Sequence, residues 1–183
     1  SMDKIWVTQK YIESPLIIKQ KKFDIRQWVC ITSWKPKLEI WFYNEMYLRF
    51  TSDDYDPNQL NNKFANLTNA TINKENIKED TAEDKAFNSK MNLTDAEEIG
   101  KLRIHGNMWT NQQFELYLNK LTQAQGTSQA YPNGAYQDKV LPLLKQGVTA
   151  SILATRNTIT QNEPHLSHEI FGYDFMVDTC LNV

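Results

Sequence analysis

The chain has 183 residues, enough for one sizeable domain or a piece of a larger one, and its 40% hydrophobic and 11% aromatic content is sufficient for a real core. A formal net charge of -2 supplies no global basic field of the kind that nucleic-acid binding needs. No apolar run approaches membrane-spanning length and no leader-like segment opens the chain, so neither nucleic acid nor a membrane is expected as a partner.

Ser1-Met2 reads as a cloning remnant. Ile5 to Ile12 reads as a strand and Glu13-Ser14-Pro15 as its break, with Leu16 to Ile18 a short extended piece. Phe23 to Thr32 is the next strand. Phe23, Ile25, Val29 and Ile31 alternate with other side chains, and β-branched and aromatic residues are frequent. Side chains two apart on a strand point the same way, so Lys22, Asp24 and Arg26 share one face. Cys30 lies in this apolar strand and is expected to be a buried thiol. It matches no metal spacing with Cys180, and a reducing cytoplasmic setting is expected.

Trp34 to Lys37 turns the chain into a strand from Leu38 to Tyr43, and Asn44-Glu45 turns it again into Met46 to Phe50. These pieces form an antiparallel meander, because no connection is long enough for a helical crossover. Residues 53 to 107 are dominated by Asn, Asp, Lys and Glu. Lys74 to Lys90 reads as a mobile insertion, with the whole polar stretch spanning about 74–105. Asn66-Leu67-Thr68-Asn69 is turn-forming in composition. Asn-x-Thr sequons start at Asn66, Asn69 and Asn92, as an Asn-rich chain produces by chance.

Thr110 and Gln113 make a capping-box pattern for a helix whose apolar face is Phe114, Tyr117, Leu118 and Leu121. Gly126 to Gly134 is a loop. Asp138 is expected to cap a second helix with Pro142 in its first turn and Val140, Leu144, Val148 and Ile152 on one face. The chain returns to strand at Phe171 to Asp178, with Asp174, Met176 and Asp178 on one face. A buried strand aspartate is costly unless paired or metal-bound, which makes Asp174 a candidate site residue. The histidines, among them His165 and His168, show no zinc spacing and read as structural or surface residues.

No phosphate-binding Gly-x-x-x-x-Gly-Lys-Ser/Thr loop and no Gly-x-Ser-x-Gly elbow is present. What remains is a set of strand-borne Lys, Arg and Asp residues. Such groups suit phosphoryl transfer, which is largely positioning and charge neutralisation: lysines hold phosphate oxygens, an arginine braces a phosphoryl group and carboxylates hold magnesium.

The order of the pieces is more specific. Gln9-Lys10-Tyr11-Ile12, Lys22-Phe23-Asp24-Ile25-Arg26-Gln27-Trp28, Tyr47-Leu48-Arg49-Phe50, Asn66-Leu67-Thr68-Asn69 and Phe171 to Asp178 together resemble the tubulin tyrosine ligase-like family. Two further stretches are similar to its glycine-adding branch, the tubulin glycylases. They are Thr32-Ser33-Trp34-Lys35-Pro36 with Ile40 to Tyr43, and Asn107-Met108-Trp109-Thr110 leading into Phe114 and Tyr117-Leu118.

The resemblance implies an α+β, partial ATP-grasp fold and a central fragment of a larger enzyme. It also implies ATP-dependent addition of glycine to glutamate side chains of tubulin tails through an acyl phosphate. Gln9, Lys10, Tyr11 and Ile12 would contact adenine, largely through backbone groups. Lys22 and Asp24 would lie beside the nucleotide, and Thr68 and Asn69 near ribose and phosphates. Arg26 and Arg49 would be catalytic, facing the phosphoryl group or the acceptor carboxylate, and Asp174 would be a magnesium ligand. Asn66 stands where the family often has His and inherits no role. ATP and magnesium are the implied cofactors. Tubulin, microtubules and glycine are the implied partners, in cytoplasm, cytoskeleton or a ciliary or flagellar axoneme. The alternatives are addition of glutamate or tyrosine, or a non-catalytic tubulin-binding fragment. The family pattern continues into a strand with further magnesium ligands, so the isolated chain is expected to be inactive.

Overall fold

The structure is a computed structural model that describes residues 8, 10–76, 104, 106–159 and 168–183. It is an α+β arrangement: one antiparallel sheet with the two longer helices packed on one face. Strand β1 (Phe23–Ser33) pairs with β2 (Glu39–Phe50) on one side and β4 (Glu169–Phe175) on the other. The short β3 (Met108–Thr110) lies outside β2, giving the order β3-β2-β1-β4. Two four-residue helices, α1 (Lys63–Asn66) and α2 (Ala70–Asn73), flank the Leu67-Thr68-Asn69 linker. Helices α3 (Asn111–Ala124) and α4 (Leu141–Thr155) follow.

The period-2 alternation of β1 sorts its two faces. Phe23, Ile25, Val29 and Ile31 are buried toward the helices with Met46, Leu48 and Phe50 of β2. Phe23 and Phe50 sit 5.7 Å apart, Phe23 and Phe114 5.6 Å, and Phe50 and Trp109 5.3 Å, which ties both central strands to α3 and β3. Each such pair contributes about 0.5–1.5 kcal/mol beyond its buried area. Removing the Phe114 ring, which is fully buried, would cost about 3–5 kcal/mol.

Several expectations are corrected by this architecture. Asn44-Glu45 is not a turn: Leu38–Tyr43 and Met46–Phe50 belong to one strand that bulges opposite Trp28, where the register shifts between Gln27 and Val29. Gln27 explains the continuity. It is buried on the inner face, and its Nε2 donates to the Tyr43 carbonyl at 2.7 Å, satisfying a group inside the bulge. Of the strand expected at Ile5–Ile12, only Thr8 and Lys10–Ile12 are described, and they take no strand pairing. Most of the expected insertion, with Asn92, lies outside the described residues, as do Gln9 and His165.

Helix α3 has the expected capping box, with Thr110 Oγ accepting from Gln113 N–H at 3.3 Å and Gln113 Oε1 accepting from Thr110 N–H at 2.9 Å. It runs past Leu121 to Ala124, because the buried Thr122 keeps its hydroxyl on the Leu118 carbonyl at 3.0 Å and no breaker comes before Gly126.

Asp138 does not cap the second helix. The helical run begins upstream as a π-turn over Tyr136–Val140, and the Asp138 carboxylate reaches back to accept from Asn133 N–H and Nδ2 at 2.8 and 2.9 Å. Val140, Leu144, Val148 and Ile152 are buried as their spacing implies. Gly147, weak for a helix, is there for space: a Cβ would meet Phe175 Cε1 at 3.1 Å.

The last strand spans Glu169–Phe175 and stops before Asp178. Asp178 instead closes a turn, accepting from the backbone of Cys180 and Asn182, each at 2.8 Å, and from Asn182 Nδ2 at 2.9 Å. Burial pushes its carboxyl up, but these hydrogen bonds, with Lys139, outweigh it and leave the pKa lowered. Cys30 is half-buried rather than buried, because it lies on the open face of the sheet.

Candidate active site

The face of β1 that turns away from the helices carries Lys22, Asp24, Arg26 and Trp28. Antiparallel register brings Arg49 of β2 opposite Asp24, and Asp174 of β4 opposite Arg26. Residues far apart in sequence therefore meet on one sheet surface.

Their contacts form a continuous chain. Arg49 grips Asp24 with two donors: Nε to Oδ1 at 2.9 Å, and Nη2 to Oδ2 in a very short contact. Asp24 Oδ2 also accepts from the Thr68 hydroxyl at 2.8 Å. Arg49 Nη2 reaches Asp174 Oδ1 at 2.9 Å, and Arg26 Nε lies 2.7 Å from the same oxygen. That Nε makes no aligned hydrogen bond, so the Arg26 contact is ionic, with only a long Nη2–Oδ2 bond of 3.4 Å.

Sequence alone shows no structural partner for Arg49. It has two, and it is buried at 7% exposure. The Asp24 hydrogen bonds raise its pKa most, burial opposes them, and the charges of Asp24 and Asp174 add to the rise. The premise of a buried Asp174 is also corrected: its side chain is 46% exposed, and two guanidiniums compensate its charge.

Lys22 is different. It is buried to 7%, and among the described residues no carboxylate pairs with it. Its ammonium lies 5.2 Å from the Tyr11 ring and 5.8 Å from the Tyr55 ring. The two phenols touch at 3.1 Å, and this bond, with burial second, pushes the Tyr55 hydroxyl up to about 12. Sequence reasoning missed Tyr55 and gave Tyr11 largely backbone contacts; an aromatic pair over a lysine leaves no local signature.

A cavity of about 530 Å³ opens beside this cluster. It is lined by Lys10, Tyr11 and Ile12, by Lys22 and Asp24, by Asn66, Leu67, Thr68 and Asn69, and by Asp174. Of the expected site residues, Arg26 and Arg49 flank this cavity through Asp174 and Asp24 rather than lining it, and Gln9 is not described. Beyond Arg26 the open face becomes aromatic. The Arg26 guanidinium lies 5.4 Å from the Trp28 ring, and Trp41, Tyr43 and Ile170 are exposed around Cys30.

Magnesium does not fit the described donor set. No group of three or more His, Cys, Asp or Glu side chains could hold an ion among the described residues, and both strand carboxylates are engaged by arginines. A free cation beside a roomy cavity, with hydroxyl, amide and backbone groups on its walls, does suit a polyanion such as a nucleotide phosphate chain. No described helix is long and apolar enough to cross a membrane.

The chain belongs to the tubulin-tyrosine ligase family, whose match covers residues 1–183. It is 36% identical over 182 residues to tubulin glycylase 3D of Tetrahymena thermophila, covering 100% of this chain and 15% of that protein. It is 33% identical over 175 residues to mouse protein monoglycylase TTLL8, covering 96% and 17%. Against human tubulin monoglycylase TTLL3 it is 30% identical over 171 residues, covering 93% and 18%. The chain thus spans less than a fifth of the length of these relatives.

Proposed function

We propose that the chain is the part of an ATP-grasp ligase that carries nucleotide-binding and acceptor-facing residues, and that the full-length protein carrying it adds glycine to glutamate side chains of tubulin tails. The observation that carries the reading is the linked set Thr68–Asp24–Arg49–Asp174–Arg26 beside the unpaired Lys22, in a chain similar to proteins named as glycylases. ATP is the co-substrate and tubulin the protein substrate, with action at microtubules of the cytoskeleton or a ciliary axoneme.

A carboxylate is a poor electrophile, so the acceptor must first be activated. The acceptor oxygen attacks the γ-phosphorus, ADP leaves, and an acyl phosphate forms. The glycine amino group then attacks the acyl carbon, phosphate leaves with the bonding electrons, and the ammonium proton is lost to solvent. Lys22 binds phosphate oxygens. Lys10, Tyr11 and Ile12 form the wall against the base, where Gln9 would join them. Thr68 and Asn69 face ribose and phosphates. Arg26 and Arg49 screen the repulsion between two anions that must meet. A magnesium role for Asp174 requires its carboxylate to leave the two arginines and to be joined by further oxygen donors.

The test is mass spectrometry of tubulin tails after incubation with the full-length protein carrying this chain, ATP and one amino acid at a time. Glycine-sized mass additions that require ATP are expected. Additions of glutamate or tyrosine would move the assignment within the family, and no ATP-dependent addition would refute a ligase.

A further inference from the structure

We propose that Asn73 is a positioning residue for the nucleotide, holding the Thr68 loop against the end of the Arg49 strand. The inference rests on the reading of the cavity as a nucleotide site. Asn73 is 1% exposed and does not line the cavity. Its amide is nevertheless fully used. Oδ1 accepts from Ser52 N–H at 2.9 Å and from Ser52 Oγ at 2.8 Å. Nδ2 donates to the Leu67 carbonyl at 2.7 Å and to the Asn69 carbonyl at 3.2 Å.

Those two carbonyls bracket Thr68, whose hydroxyl reaches Asp24. Ser52 follows β2 closely, and β2 ends one residue after Arg49. One side chain therefore couples the segment leaving the arginine strand to the loop that forms a cavity wall. A buried amide with both ends satisfied ties the two segments together, and loss of its donors would free the Leu67 and Asn69 carbonyls, which are only part-buried, to turn toward water and release the loop. Only an amide can both accept from Ser52 and donate to two carbonyls at this length.

The test compares Asn73→Asp, Thr68→Val and their combination in the full-length protein carrying this chain, with folded fractions matched by circular dichroism. Aspartate keeps the size and the acceptors but loses both donors. The expected result is a rise of about tenfold in KM for ATP with Asn73→Asp, a similar rise with Thr68→Val, and little further rise when the two are combined, since they act as one unit. The value of kcat should change much less, because the chemical groups stay in place. Ser52→Ala, which removes one of the four hydrogen bonds, should shift KM in the same direction by less, and it carries the same comparison with Thr68→Val if Asn73→Asp fails to fold. An unchanged KM in Asn73→Asp beside a raised KM in Thr68→Val would overturn the role of Asn73 alone. An unchanged KM in Thr68→Val would overturn the nucleotide reading of the loop and the inference with it.

Discussion

Gly172 of β4 lies directly across from Trp28, and a Cβ placed on it would press on Arg26 Nη1 and come within 3.1 Å of Trp28 Cζ3. The Gly172→Ala variant therefore acts on the arginine rather than on the sheet. The obstacle is the far end of a flexible side chain, which can swing aside by about an ångström. Alanine is compatible with strand backbone here and gains about 0.4–1 kcal/mol through the unfolded chain. Against this stands the weakened Arg26–Asp174 contact, half-exposed and worth about 0–1 kcal/mol, and a cation–π contact worth about 0.5–1 kcal/mol.

The terms nearly cancel. Thermal unfolding of Gly172→Ala should shift Tm by no more than about 4 °C. Activity should respond differently. Misplacing a group by about 1 Å at a reacting centre can cost on the order of 100-fold in rate. Glycine incorporation into tubulin by the full-length protein carrying this variant should fall by about that factor. Normal incorporation would show that Arg26 does not act at the reacting centre. A loss of stability above about 3 kcal/mol would show instead that the strand cannot accept a side chain there.

Asp24→Asn, which leaves Arg49 in a nearly buried site, should destabilise by about 3 kcal/mol, whereas Asp174→Asn should cost about 1 kcal/mol or less and lose that cost in high salt; urea unfolding at low and high salt separates them, and equal losses would refute the distinction. Burial first, and Glu115 second, pushes the Tyr136 hydroxyl up to about 12, so its favourable contribution is complete below the ordinary value of 10.0 and is lost as pH rises from there through about 12. Tyr136→Phe should therefore flatten the alkaline fall in stability over that window, read by unfolding at graded pH. The lowered Asp178 pKa works in the opposite sense: its contribution is present above the ordinary 3.8 and is lost as pH falls through the lower folded value. NMR titration of that carboxyl should find a midpoint below 3.8, and Asn182→Ala should move it upward.

How far the sequence foretold this arrangement depends on how local each signal is. The face of Lys22, Asp24 and Arg26 was legible because strand geometry alone sets it. The capping box of α3 and the buried stripe of α4 were legible for the same reason. The pairing of Arg49 with Asp24 was not, because it depends on register between strands. That register includes a bulge whose Tyr43 carbonyl is met by the side chain of Gln27, a residue that reads as polar and unremarkable in sequence. The same holds for Asp138 and Asp178. Each looked like a helix cap or a strand member, and each satisfies a turn a few residues away. The Thr68 wall was singled out by resemblance rather than by physics. Its anchor Asn73 went unnoticed, because a buried asparagine in a polar stretch looks like any other.

The burial of the two carboxylates points to a division of labour within the charged cluster. Asp24 is 10% exposed, holds two donors of Arg49 and accepts a third hydrogen bond from Thr68. Separating that pair would leave a desolvated charge on both sides, so the pair is a fixed part of the sheet. Asp174, at 46% exposure, can exchange a guanidinium for water at little cost. Among the described residues of the cluster itself, Lys22, Arg26 and Arg49 stand against Asp24 and Asp174, which leaves one positive charge in excess; Lys10, also at the cavity, pairs with Glu13. An incoming anion would find Lys22 already free. It would gain Arg26, and one face of Arg49, only by displacing Asp174. Under the proposed function, the affinity of the site for phosphate or carboxylate is therefore set by the weak outer pair. Asp24 decides where Arg49 points, and Asp174 decides when the arginines become available.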